Sequence, residues 1–159
     1  MKLPEQFLAE ITPNPSGSPS PRSILVTLGD LIADQTSQHV KGIVEYHKTT
    51  FDGLVFGHGI QRFIYDFVLS APALGYRYYL FRVQYQADPD FYYPLSLEID
   101  ADIAEELGCS ADITCDSAPV FEAQLERIMA AHKTIAIVRS LYHHSQAEQA
   151  ESPAMAQDE

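Results

Sequence analysis

The chain has 159 residues, ten Lys or Arg against 22 Asp or Glu, and a formal net charge of −12. That length suits one domain able to bury a sizeable core. The acidic balance argues against sequence-independent nucleic-acid binding, which needs Lys and Arg on phosphates, and against docking to anionic membranes. No apolar run approaches the ~18–20 residues that span a bilayer, and "MKLPEQFLAEI" has no continuous apolar stretch of the secretory kind. A cytoplasmic protein is the default expectation. The two cysteines, Cys109 and Cys115, are too few for a disulfide scaffold.

Residues 3–10 suit a short helical segment, and "TPNPSGSPSP" (12–21) is a linker by composition. Residues 1–19 are therefore an N-terminal arm and linker. The first firm helix is capped by Ser20, has Pro21 at its first position, and runs to about Gln38 on a stripe of Ile24, Leu25, Leu28, Leu31 and Ile32. A strand is expected at 40–50, with Asp52-Gly53 as the turn of a hairpin returning through Leu54–Phe56. "IQRFIYDFVLSA" (60–71) fits a helix, with Ile60, Phe63, Ile64, Phe67 and Val68 at helical spacing.

Eight of the seventeen aromatic residues fall between Tyr76 and Tyr93. Tyr79, Phe81, Val83 and Tyr85 alternate along one strand, and Tyr93, Leu95, Leu97 and Ile99 along another. Asp88-Pro89-Asp90 between them is turn chemistry, so the pair reads as a second hairpin. Pro94 cannot donate to a ladder and predicts an edge position or a bulge. The opposite face, with Tyr78, Leu80, Arg82, Tyr92, Ser96 and Glu98, is either covered or a contact patch.

Asp100 caps a short helix closed by Gly108. "CSADITCDSAP" reads as loop. Ser117 opens a helix with Phe121, Leu125, Ile128 and Met129 on its stripe. After a break at 132–134 a second apolar stripe continues to about His144, with a strand at 134–142 as the rival reading. Residues 145–159 are small, polar and acidic, and are expected to be a disordered tail. The body, 20–144, is predicted to be an α+β domain: an antiparallel sheet of 3–4 strands, from two hairpins, with helices packed on one side.

Three constellations invite chemistry. His47 and His58 lie eleven residues apart, His58 between two glycines, with Asp66 or Glu45 able to orient an imidazole for general-base work. Cys109 and Cys115 lack the spacing and the further ligands of a zinc corner, so no metal and no cofactor are expected. Arg139 and His144 have an R-x4-H spacing similar to the signature of HEPN ribonucleases. That resemblance covers six residues, and those domains are all-helical, whereas two hairpins are predicted here. There is no phosphate-binding Gly-rich loop, no G-x-S-x-G and no H-E-x-x-H.

Charge is uneven along the chain. Residues 83–126 carry eleven Asp or Glu and no Lys or Arg, and residues 41–82 carry five basic residues and three acidic ones. The sequence thus points to a small acidic protein-binding module, of the immunity, chaperone or inhibitor kind by composition, that meets a basic protein partner or a second copy of itself. Tyr78, Arg82, Tyr92, Glu98, Asp102 and Glu105 are the expected contact residues. The alternative is a hydrolase or nuclease centred on His58, with His47 and Asp66.

Overall fold

The computed structural model describes residue 2 and residues 4–11, 19–47 and 62–156. The elements are α1 (Glu5–Ile11), α2 (Pro21–Gln35), β1 (Lys41–Tyr46), β2 (Arg62–Ala71), β3 (Tyr76–Gln86), β4 (Leu95–Ile99), α3 (Ala101–Leu107), β5 (Asp112–Cys115), α4 (Ala118–Ala130) and α5 (His132–Ala156). All pairings are antiparallel, and the sheet order is β1-β2-β3-β4-β5. The fold is α+β, with five strands where the sequence predicts 3–4. The Asp52-Gly53 turn and His58 lie outside the described residues.

The two extra strands have separate causes. Residues 62–71 form a central strand, not a helix. Every residue from Asp66 to Ala71 is buried, and a strand covered on both faces shows no alternation, so its continuous apolar run mimics a helical stripe. β5 is a four-residue strand inside the predicted loop, which suits a short edge. It pairs with β4, so β4 is an inner strand. Pro94 stands just before β4 and removes no ladder donor, which corrects the expected edge.

The β2–β3 register contains a bulge. Phe67 faces Phe81 and Val68 faces Tyr79, so Leu80 is the extra residue. An inserted residue reverses the alternation. Leu80 and Phe81 are consequently both buried, and Tyr79, expected on the core row, is 60% exposed. Tyr78 instead packs against the core.

Local signals at the helix ends hold. The Ser20 hydroxyl accepts from the Ser23 amide, Asp100 accepts from the Asp102 and Ile103 amides, and Ser117 accepts from the Val120 amide. Gly108 ends α3 in the left-handed conformation, with φ 66°. The segment after residue 132 is helical, as the stripe predicts, but α5 does not stop at His144. Ser145 is fully buried and shares a hydrogen bond with His39 Nδ1 at 3.1 Å, and the helix runs to Ala156 through residues assigned to the tail.

The core gathers Phe67, Leu69, Val83, Leu95 and Leu97 from the sheet with Leu25, Ile103, Phe121, Ile128 and Leu141 from α2 to α5. Phe67 and Phe81 stack at 4.8 Å and 5°. α2 reaches β1 through two glycines. A Cβ on Gly42 would lie 2.8 Å from Gly29 Cα and would strike the Phe67 ring, and one on Gly29 would strike the Gly42 carbonyl. Helix propensity alone would make Gly29→Ala favourable by about 1 kcal/mol. Overpacking against rigid backbone outweighs this, so a net loss of about 1–3 kcal/mol is expected. Chemical denaturation of Gly29→Ala and Gly42→Ala checks it: stability at or above that of the parent would show that the contact is not tight.

Candidate functional site

A row of ionic side chains crosses the sheet. Cross-strand neighbours are Glu45 and Asp66, then Asp66 and Arg82, then Arg82 and Glu98. Asp66 is nearly buried. Its Oδ1 accepts from Arg82 Nε at 2.7 Å and its Oδ2 lies 3.2 Å from His47 Nδ1. A carboxylate can only accept, so Nδ1 carries the proton there and Nε2 is left as the basic nitrogen. Arg82 Nη2, 3.4 Å from the same Nδ1, then makes no hydrogen bond to it. The bond to Asp66 raises the Arg82 pKa, and Glu98 adds to the effect. Glu45 turns to Arg77.

The structure thus brings His47 and Asp66 together, as the catalytic alternative needs. His58, the centre of that reading, is outside the described residues. Among the described residues no three His, Cys, Asp or Glu side chains converge to hold a metal ion. Both cysteines are free. Burial pushes the Cys115 thiol up to about 11, which keeps it protonated and unreactive. Arg139 and His144 line separate cavities on α5, and a five-stranded sheet is not the all-helical HEPN fold.

The expected contact residues are scattered. Arg82 and Glu98 meet across strands. Tyr78 donates to Asp100 Oδ2 at 2.6 Å, and Lys133 Nζ reaches both Asp100 oxygens at 2.9 Å and Asp102 Oδ2 at 2.7 Å. Tyr92 packs edge-on against Tyr85 at 5.6 Å. Tyr85 lies seven steps along β3 from Tyr78, about 23 Å of strand, so Tyr78 and Tyr92 do not share a patch. Glu105 is exposed on α3. Glu106 accepts from the His132 and Lys133 amides and closes the start of α5. Part of the acidic rim is therefore neutralised by the chain's own Lys133 and Arg82.

The feature missed in the sequence is a cleft of about 360 Å³ between α2 and α4. Its apolar walls are Ile24, Leu28 and Leu31 on α2 and Leu125 and Met129 on α4, with Glu122 and Glu126 beside them. On α2 the apolar stripe spans about 160° by helical geometry, wider than one core contact needs. Leu25, Gly29 and Ile32 take the buried side, and Leu31, 54% exposed, lies at the other margin. That excess width was the legible signal.

No family model, curated protein or solved structure matches the chain. No helix among the described residues is long and apolar enough to cross a membrane.

The Asp100 cluster carries a pH signature. Burial alone would raise this carboxyl. Hydrogen bonds from Tyr78, Lys133 and the Asp102 and Ile103 amides outweigh it and hold the group at about 2, against an ordinary 3.8. A depressed carboxylate stabilises the fold above its unfolded value and loses that contribution as pH falls through its folded value. Asp100→Asn keeps the cap and removes the titration. It should cost about 1–2 kcal/mol at pH 7, discounted for the partial exposure of Lys133, and little at pH 2. Denaturation between pH 7 and 2 tests this, and parallel curves for the two proteins would refute it.

Proposed function

We propose that this protein is a binding module that captures a basic segment of another protein. The α2–α4 cleft carries the reading: an open apolar groove with two carboxylates that make no ion pair among the described residues, on a chain of net charge −12. Apolar contact supplies affinity, and opposite charge steers encounter and rejects acidic competitors. The anchors shift from Tyr78 and Tyr92, which are engaged with the chain itself, to Leu28, Leu31 and Met129. Helices α2 to α5 form one layer in this reading, and the Asp66–Arg82–Glu98 row marks the other sheet face as a second polar surface. A cytoplasmic setting suits the free cysteines.

A second reading rests on the His47–Asp66 contact: a hydrolase or nuclease with His47 Nε2 as general base. Turnover of ester or phosphodiester probes by the parent, lost in His47→Ala, would promote it.

Glu122→Lys/Glu126→Lys tests the first reading. Both side chains are exposed, so the fold should be unaffected. Affinity for a basic partner taken from the native host should fall about tenfold at low salt, and its salt dependence should flatten. Equal capture by both proteins at low and high salt would refute the electrostatic contribution.

A further inference from the structure

We infer that the cleft continues past Met129 along α5, and that the whole receives one amphipathic helix of the partner, basic at one end and acidic at the other. This rests on the binding reading above and assigns the partner's shape and polarity. A second cavity of about 270 Å³ is lined by Met129, Thr134, Ile135, Val138, Arg139 and Tyr142. Met129 belongs to both cavities, so the two adjoin at its side chain. Its unbranched thioether side chain adapts to what lies on it.

Two observations select the occupant. First, the walls are helices, whose backbone groups are bonded internally, so no sheet edge is offered. A segment lying here must satisfy its own N–H and C=O groups, and a helix does so. Second, the ends differ in charge. Glu122 and Glu126 stand at the α2 end and Arg139 at the α5 end, which fixes the direction of a bipolar helix.

α1 is the rival occupant from within the chain. It displays Phe7, is connected to Pro19 at the cleft, and carries Glu5 and Glu10, whose sign matches Glu122 and Glu126. Charge therefore favours the foreign helix.

The test uses the full chain and synthetic helices of about 16 residues, or about 24 Å. One has an apolar i, i+3, i+4, i+7 face with Lys in one half and Glu in the other. Controls carry the same residues scrambled, or Lys at both ends. Affinity is read by fluorescence anisotropy and location by amide shifts. The bipolar helix should bind tightest, with shifts at Leu31, Met129, Ile135 and Arg139. Arg139→Glu and Glu122→Lys/Glu126→Lys should each weaken it about tenfold. Shifts confined to Leu31–Met129, with Arg139→Glu silent, would overturn the extension and leave the binding reading standing. An all-Lys helix that binds more tightly than the bipolar one would do the same. Failure of every basic helix to bind would bring down both. A tenfold gain in affinity on Phe7→Glu would assign the cleft to α1 instead.

Discussion

The seat of α2 on the sheet depends on the absence of two side chains. Gly29 and Gly42 bring helix and strand so close that a Cβ on either would meet backbone or the Phe67 ring. Phe67 lies beneath Gly42 and stacks on Phe81, so the contact reaches the centre of the core. With Gly29 facing the sheet, the helical period dictates the rest. Leu25 and Ile32 turn inward, and Ile24, Leu28 and Leu31 face the flank where α4 presents Leu125 and Met129. The cleft is thus a by-product of how the core is closed.

Electrostatics arranges the surface around this frame. An exposed ion pair contributes at most about 1 kcal/mol, so Arg77 with Glu45 is of small consequence. The Asp100 cluster differs because one carboxylate collects a phenol, an ammonium and two amides. It ties β3, the start of α3 and the start of α5 together, and absorbs charge that composition alone would leave free for a partner. Glu122 and Glu126 on the cleft have no such neighbour among the described side chains, so the binding proposal rests on the charge of α4.

How much of this was legible follows from the range of each signal. Caps are local, so Ser20, Asp100, Gly108 and Ser117 could be read from the sequence. β2 could not, because burial on both faces erased its alternation, and its partners are distant in sequence. One inserted residue at Leu80 reversed the parity of the tyrosines, so Tyr78 and Tyr79 exchanged their expected sides. β5 has too few residues to show a period. The stripes of α2 and α4 were visible residue by residue, but which part of each met the core depended on the two glycines. His47 and Asp66, both named as candidates, lie in contact, although Asp66 was placed on a helix.

Each strand of the sheet pairs with the one before it in the chain. The β2–β3 connection is four residues and the β1–β2 connection fifteen. Closure entropy grows only with the logarithm of length, so the longer one costs about 1 kcal/mol more. Contacts of low sequence separation can form before distant ones, and topologies rich in them fold quickly. The demanding search is left to one event: returning α5 so that Ser145 meets His39, 106 residues away in the chain.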